Sequence, residues 1–251
     1  TKWRFFAIII NMEKPMYKRV ILKISGEALQ DDESRLILSA KKLDEVAATI
    51  KEIKELNVDV GVVIGAGNIF RGRIAEEAGI NPIDGDYMGM VGTVINCKAL
   101  ASVLEKINIK SKIFSALKVE DVTLKFDESE ANKALDEGYV CLFSAGLGKP
   151  RITTDSCAAK RSIQIQADAI LAGKNGVDGV YDSDPRTNKE AKLLKKLTYT
   201  EALDRDLKVM DRGAMEMLKN TKIVTRVFSM EDKANFLRVL KDDKIGTIIK
   251  E

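Results

Sequence analysis

The hydrophobic positions of the chain alternate between two periodicities. Runs rich in β-branched residues at 17–24 (YKRVILKI) and 58–64 (VDVGVVI) predict buried strands. Between them, from Ser39 to Leu56, apolar residues recur every three or four positions, which predicts a helix with one buried face. The same reasoning predicts, further along the chain, helices over 86–107, 129–137 and 155–165 and strands over 112–116, 139–144 and 169–172.

Strand and helix patterns continue to alternate to the end of the chain, with the last two strands predicted at 223–228 and 247–250. This alternation predicts an α/β protein whose mostly parallel sheet is covered on both faces. Ligands of such sheets lie beyond the carboxyl ends of the strands. We expect one continuous domain with an N-terminal lobe at 16–167 and a C-terminal lobe at 168–251.

The composition narrows the classes of function. The chain has 251 residues, 45% of them hydrophobic, and 41 Lys and Arg against 38 Asp and Glu give a net charge of +3. This near balance gives no broad attraction to nucleic acids or anionic membranes. There is no histidine, which excludes Ser-His-Asp and Cys-His relays and His-ligated zinc.

Both the first residues and the cysteines bear on the cellular compartment. The apolar run at 5–10 is too short for a secretory core or a membrane span, so 1–15 is interpreted as a leader or appended segment outside the fold. A native edge strand or a membrane-surface tag is the alternative for this segment. The three widely spaced cysteines, Cys97, Cys141 and Cys157, favour reduced core thiols in the cytosol.

Four segments that follow predicted strands are candidates for chemistry. At 23–27 (KISGE), a lysine beside a Ser-Gly turn suits a phosphate clamp, or is a solvated lysine before an ordinary turn. At 65–72 (GAGNIFRG), glycine amides and Arg71 suit an anion. At 146–155 (GLGKPRITTD), glycines, hydroxyls and cations precede a helix and form either an anion site or a helix cap.

The fourth segment, at 174–185 (KNGVDGVYDSDP), is a turn-rich loop without the EF-hand pattern, in which Tyr181 could flank a base. No P-loop occurs anywhere in the chain, so any nucleotide must be bound in a non-Walker manner. The four segments offer amides and cations but no nucleophile–base pair. They therefore favour in-line phosphoryl transfer, with Mg²⁺ arriving on the nucleotide and no metal site in the protein.

Six motifs together carry a resemblance to a known family: KISGEAL, GAGNIFRG, GDYMGM, TTDS, KNGVDGVYDSDP and LKVMD. In this order, over 17–249, the chain resembles the bacterial UMP kinases of the amino acid kinase fold family. The resemblance implies a three-layer α/β/α sandwich and transfer of the γ-phosphoryl group of ATP·Mg²⁺ to UMP, giving UDP for pyrimidine biosynthesis in the cytoplasm. It also implies a homohexamer, activated by GTP and inhibited by UTP in many members.

The resemblance also assigns roles to residues. Lys23 and Arg71 would neutralise the transferring phosphoryl group, and Asp155 and Asp211 would support the reaction centre. Asp86 would bind the sugar of the acceptor. The ATP-binding set is Lys23, Ile24, Ser25, Gly26, Gly67, Arg71, Asn175, Tyr181 and Asp184. The UMP-binding set is Ala66, Asp86, Leu147, Gly148, Lys149, Pro150, Arg151, Ile152, Thr153 and Thr154.

Three departures from the family pattern lie in the acceptor half. Ala66 replaces the middle glycine of G-G-G-N, Leu147 replaces a threonine, and Arg151 replaces an aromatic residue. One alternative, suggested by Leu147, Lys149 and Arg151, is a kinase of the same fold with a changed acceptor. Another, suggested by Ala66 and the altered loop, is a nucleotide-binding regulator with impaired catalysis. The segment 116–128 matches the family poorly and receives no role.

Overall fold

The structure, a computed structural model, describes residues 14–31, 36–242 and 244–251, with every side chain except that of Arg73. Within these ranges the strands are β1 (Arg19–Ile24), β2 (Asp59–Ile64), β3 (Ser111–Ser115), β4 (Leu124–Lys125), β5 (Val140–Ser144), β6 (Ala169–Lys174), β7 (Val180–Tyr181), β8 (Leu193–Leu194), β9 (Lys196–Leu197), β10 (Val224–Ser229) and β11 (Thr247–Ile249). The helices are α1 (Ala40–Glu55), α2 (Gly72–Glu77), α3 (Pro82–Lys106), α4 (Glu128–Asp136), α5 (Thr154–Gln164), α6 (Tyr199–Asp204), α7 (Arg212–Leu218) and α8 (Asn235–Arg238).

The described strands form one large sheet and a small ladder. The large sheet has the order β4-β3-β5-β2-β1-β6-β10-β11-β9, and its first seven strands are parallel. β11 runs antiparallel to β10, β9 runs parallel to β11, and β7 pairs with β8 separately. The predicted mostly parallel α/β sheet is confirmed.

Helices cover both faces of this sheet. Along β1, Val20 and Leu22 belong to a core shared with α1, α3 and α8, whereas Ile21 belongs to a core shared with α4, α5, α6 and α7. Successive side chains of a strand point to opposite faces, so a nearly continuous apolar run fills both cores. The result is the expected three-layer α/β/α sandwich.

The proposed lobe boundary at 167/168 directly precedes β6, which pairs with β1 in the sheet. β1 and β6 run parallel in register, with Leu22 opposite Leu171. The strands of the N-terminal lobe lie on one side of this pair and those of the C-terminal lobe on the other. The two lobes thus share one continuous sheet. Of the proposed leader, residues 1–13 lie outside the described residues.

Long periodic segments were predicted to within a few residues, and five of the short elements were missed or predicted as loop. α3 begins at Pro82 rather than at 86, because the Asn81 side chain accepts a hydrogen bond from the Ile83 amide at 2.9 Å and caps the helix. α2, β4, β8 and β9 were not predicted, and β7 lies inside a segment predicted as loop. These elements have two to six residues, too few to display a period.

α3 is the one described helix long and apolar enough, by length and composition, to cross a membrane. It packs instead on the sheet and on α1 through buried residues such as Cys97 and Leu100. Cys97, Cys141 and Cys157 are free and buried, as predicted for core thiols. Burial raises the pKa of the Cys157 thiol to about 11 and that of Cys141 to about 12, which keeps both thiols protonated.

Candidate active site

The four chemistry-bearing segments meet at the carboxyl ends of neighbouring parallel strands. β1 lies between β2 and β6, and Lys23 is opposite Val63 on one side and Ala172 on the other. The segment after β5 joins them because β5 pairs with β2. The four segments therefore begin at the edge of the sheet where ligands of parallel sheets bind.

Lys23 forms the central charge pair of this edge. Its Nζ lies 2.8 Å from Asp155 Oδ1, and both side chains are about four-fifths buried, with 18% and 22% exposed. Asp155 stands in the first turn of α5, so the pair joins β1 to that helix. Two groups that sequence analysis assigned to catalysis are thus in direct contact.

Lys174 is a third charged group here, which sequence analysis did not assign to the site. Its Nζ donates to the Val209 carbonyl at 2.7 Å. Burial lowers the pKa of its ammonium, the charge of Lys23 lowers it further, and Asp155 partly opposes both. Its position just after the strand predicted at 169–172 was the available signal. By themselves, Lys23, Lys174 and Asp155 sum to one positive charge, which suits phosphate.

Asp211 holds the site together without touching Lys23. It caps α7 by accepting from the Ala214 amide at 2.8 Å, and it accepts from Thr153 Oγ1 and from Ser156 Oγ at 3.0 Å. Its own amide donates to Asp155 Oδ2 at 3.2 Å. Burial raises the Asp211 pKa, but these hydrogen bonds outweigh burial and leave the pKa below its usual value. Asp211 is therefore a positioning residue.

The turn after β1 presses against the turn after β2 at Gly26. A Cβ at Gly26 would lie 2.4 Å from Asn68 Oδ1 and 2.5 Å from the Gly65 carbonyl. No side chain fits there, so only a glycine lets the backbones of the two turns pack directly against each other. Ser25 and Gly67 border the same contact.

Arg71 lies at the edge of this contact between the two turns, and its side chain is more than half exposed. Its Nε donates to the Gly67 carbonyl at 3.0 Å, and its Nη2 lies 2.7 Å from Glu27 Oε1. The guanidinium is thereby fixed at the edge of the glycine turn. It is paired with a carboxylate, not turned toward Lys23.

A buried amide pair supports the turn after β2. Asn68 and Asn96 exchange hydrogen bonds through their side chains at 3.0 and 2.9 Å, and Asn96 Nδ2 also donates to the Gly65 carbonyl at 2.8 Å. Asn96 is fully buried in α3. Sequence analysis missed this residue, although a polar side chain among the buried positions of a helix was the available signal.

A cavity of about 320 Å³ opens between the turn after β2, α3 and the start of α5. Its size is at the lower end of the range for small-molecule sites. Predicted acceptor residues that line it are Ala66, Asp86, Lys149, Ile152, Thr153 and Thr154. Gly67 lines it as well, so the cavity adjoins the contact between the two glycine turns.

The loop between β5 and α5 shapes the cavity through unusual backbone. Ala145, Gly146, Gly148 and Arg151 all have positive φ. Arg151 is held at φ 60° by its amide, which donates to Asp86 Oδ2 at 2.8 Å. This bond occupies one oxygen of the carboxylate predicted to bind the sugar.

Predicted acceptor residues that are not part of the cavity lining are Leu147, Gly148, Pro150 and Arg151. Leu147 packs against the core instead, and Gly148 lies where a Cβ would be 3.1 Å from the Ala116 carbonyl. Two of the three departures from the family pattern, Leu147 and Arg151, thus fall outside the lining.

The third departure, Ala66, is accommodated by a glycine. A Cβ built at Gly92 of α3 would lie 2.9 Å from the Ala66 methyl. The methyl group of Ala66 therefore occupies space that the missing side chain at Gly92 leaves free.

Arg161 supports the same loop from behind and was also missed. Its side chain is buried, Nη2 donates to the Gly146 carbonyl at 3.1 Å and Nη1 to Gln164 Oε1 at 2.7 Å. The guanidinium stacks over the Phe126 ring at 3.5 Å, in the segment that received no role. Burial lowers the Arg161 pKa, but an arginine stays charged.

Four further residues of the predicted ATP-binding set do not lie together: Ile24, Asn175, Tyr181 and Asp184. Asn175 and Ile24 line a second cavity of about 340 Å³ on the α1 and α8 side of the sheet. Tyr181 belongs to the β7–β8 ladder. Asp184 is bound by the Arg186 guanidinium at 2.8 Å, which lowers its pKa to about 2.

Within 14–31, 36–242 and 244–251, no group of three or more Asp, Glu, Cys or His side chains could hold a metal ion.

Comparisons with known proteins agree with this architecture. The amino acid kinase family model matches residues 18–229. Uridylate kinase of Mannheimia succiniciproducens is 44% identical over 238 residues, which are 95% of this chain and 100% of the relative. The crystal structure of UMP kinase from Bacillus anthracis matches with a TM-score of 0.90 and 36% identity, covering 93% of this chain and 96% of that chain. UMP kinase from Ureaplasma parvum matches with a TM-score of 0.87 and 38% identity, covering 93% and 99%.

The fold, the charge pair at its sheet edge and these similarities define one class. The chain belongs to the amino acid kinase family and, within it, to the uridylate kinases.

Proposed function

We propose that the protein transfers the γ-phosphoryl group of ATP to UMP and produces UDP and ADP. One observation carries this proposal. The Lys23–Asp155 pair stands at the sheet edge where the glycine turns end and where Thr153 and Thr154 line the 320 Å³ cavity. We call Ser25, Gly26, Gly67 and Arg71 the phosphate cradle. A phosphate acceptor in the cavity and a polyphosphate in the cradle would meet beside Lys23.

The mechanism needs positioning and positive charge more than acid–base chemistry. A phosphate acceptor is already ionised at pH 7, so no residue has to remove a proton from it. Lys23 would neutralise the charge of the transferring group, with Asp155 holding its ammonium in place. Lys174 adds a second cation to the same region.

ATP would arrive as its Mg²⁺ complex, with the metal held by nucleotide phosphates. The carboxylates of Asp155 and Asp211 are engaged with Lys23 and Ser156 within the protein, which suits a metal that comes with the substrate. The ATP phosphates would lie on Ser25, Gly26 and Gly67.

The acceptor half supports UMP rather than a changed acceptor. Of the three loop residues that motivated a changed acceptor, Leu147 and Arg151 are outside the cavity lining and Lys149 is part of it. Ala66 is accommodated by Gly92. No observation favours a regulator without catalysis. Asp86 would bind the sugar through the carboxylate oxygen that the Arg151 amide leaves free.

We also infer that the protein assembles through α3. Exposed apolar residues at spacings of three and four, each 39–48% exposed, form a stripe along this helix: Ile83, Tyr87, Met88, Val91 and Ile95. Such a stripe is typical of an interface between subunits. A homohexamer, GTP and UTP as effectors, and a cytoplasmic location are the finer expectations that the resemblance adds.

Initial rates of ADP formation test the proposal, with ATP·Mg²⁺ and each nucleoside monophosphate supplied in turn. We expect turnover with UMP well above that with CMP, AMP or GMP. A higher rate with another monophosphate would favour the changed acceptor. ATP binding by folded protein without turnover of any acceptor would favour the regulator.

A further inference from the structure

The carboxylate of Glu27 lies among the residues proposed to hold the ATP phosphates. It belongs to the short 3₁₀ helix Gly26–Leu29 directly after β1. Its Oε1 is 2.7 Å from Arg71 Nη2, and its Oε2 accepts from Ser25 Oγ at 3.5 Å. Two of the proposed phosphate contacts are thus made to Glu27.

The same carboxylate lies over Gly67. A Cβ built at Gly67 would be 3.2 Å from Glu27 Oε1 and 3.6 Å from its Cδ. Gly67 has no side chain to cover the backbone of its turn, and the Glu27 carboxylate lies over this backbone instead. An anionic group therefore occupies a place built for anions.

We propose that Glu27 is an internal competitor for the phosphate cradle and weakens the binding of ATP. The proposal rests on the proposed function, because it takes the cradle as the ATP phosphate site. A phosphate on Gly67 and Arg71 must displace the carboxylate. Arg71 can exchange partners without moving far, since its Nε remains bonded to the Gly67 carbonyl.

Glu27 is half exposed, and the side chain has room to move aside into solvent. Glu27 also lines the second cavity, on the side of α1. When the cradle is filled, repulsion between two anions favours that displaced position. The cost of breaking the Glu27–Arg71 pair is then subtracted from the binding energy of ATP.

Two other roles for Glu27 predict the opposite sign. If Glu27 served to hold Arg71 ready for phosphate, its removal would weaken ATP binding. If it contacted the Mg²⁺ of the nucleotide, its removal would weaken binding of ATP·Mg²⁺ but not of ATP without the metal. The sign of the effect therefore separates the three roles.

The test is isothermal titration calorimetry of the whole protein with ATP, with and without Mg²⁺, and with inorganic tripolyphosphate. Glu27→Gln keeps the shape and removes the charge. Glu76→Gln, an exposed glutamate of α2, is the matched control. We expect Glu27→Gln to lower the Kd of ATP and of tripolyphosphate about two- to fivefold, the value of a partly exposed ion pair, and Glu76→Gln to match the wild type.

An unchanged or higher Kd for all three ligands in Glu27→Gln would overturn the proposal, as would a loss confined to ATP·Mg²⁺. Melting temperatures of both variants show that the comparison is made on folded protein. A wild type that binds ATP but does not phosphorylate UMP would remove the proposed function. The binding measurements would then still decide the role of Glu27.

Discussion

The contact between Lys23 and Asp155 sets the charge balance at the proposed reaction centre. Asp155 offsets one of two neighbouring ammonium groups, Lys23 and Lys174, whereas the Asp211 carboxylate is bound by Thr153, Ser156 and the Ala214 amide. Such a site stabilises the transferring phosphoryl group only if the lysine nearest to it is held in place.

Lys23→Ala should reduce kcat at least about 100-fold, because one preorganised cation is lost from the transition state. The fold should remain, since the lysine is not part of either apolar core. Steady-state rates and circular dichroism measure both effects. Lys51→Ala, at an exposed position of α1, is the control that should keep the full rate. A near-normal rate in Lys23→Ala would contradict the assigned role.

Asp211 should make stability depend on pH. Because its folded pKa is lowered, its contribution is present above the pKa of an unfolded carboxyl, about 3.9, and is lost as the pH falls through the lower folded value. Melting temperatures between pH 7 and pH 3 should therefore fall more steeply in the wild type than in Asp211→Asn.

Asp44→Asn, at an exposed position of α1, is the matched control, and its melting temperature should follow the wild-type pH profile. Asp211→Ala, which also loses the cap of α7, should cost about 1 kcal/mol at pH 7. Parallel pH profiles for Asp211→Asn and the wild type would show that the carboxylate is not stabilised by its hydrogen bonds.

At the scale of elements, α3 and the turn after β2 fit together through a methyl group. A Cβ at Gly92 would lie 2.9 Å from the Ala66 methyl, closer than unbonded carbons pack, whereas a Cβ at Gly89 has nothing within 4 Å. Two glycines of one helix therefore differ in what an added methyl group meets.

Gly92→Ala should destabilise the protein by about 1 kcal/mol or more, since overpacking outweighs the gain in helix propensity. In an Ala66→Gly background the same change should be neutral or stabilising. Gly89→Ala, the control for propensity, should stabilise by up to about 1 kcal/mol. Chemical denaturation of the double-mutant cycle measures the coupling, and additive effects would refute the contact.

How far sequence could predict the site depends on whether a residue acts alone or through a partner. Lys23, Arg71, Asp155 and Asp211 were predicted because they lie in motifs that resemble those of the family. Asn96 and Arg161 were not assigned to the site, because these buried side chains acquire their roles only where α3 and α5 pass behind the loops. Their hydrogen bonds to Gly65 and Gly146 depend on tertiary packing that periodicity does not encode.

The same distinction holds for the fold. The period of α1 and the apolar runs of β1 and β2 fixed the main layers, because burial on one or both faces leaves a repeating pattern. The pairing of β11 with β10 and the edge position of β4 depend on neighbours in space. The placement of Leu147 away from the cavity lining was likewise invisible in the sequence.

At the scale of the whole molecule, the balanced surface charge and the apolar stripe on α3 favour self-association. A half-exposed stripe of this kind is costly in a monomer in water. A partner that buried it would also cover the outer side of the helix that lines the acceptor cavity.

Val91→Glu with Ile95→Glu should shift the protein to smaller species, because two charges would be buried at the interface. Size-exclusion chromatography with light scattering gives the mass. Leu124→Glu, at an exposed apolar position of β4, should leave the mass unchanged. A monomeric wild type, or an unchanged mass for the double variant, would refute an interface on α3.

Transfer of labelled phosphate tests the central claim most directly. The wild type, incubated with [γ-³²P]ATP, Mg²⁺ and UMP, should convert UMP to labelled UDP in step with the formation of ADP, and Lys23→Ala should not. Release of labelled inorganic phosphate without labelled UDP, or equal labelling of UDP by Lys23→Ala, would contradict phosphoryl transfer to UMP at this site.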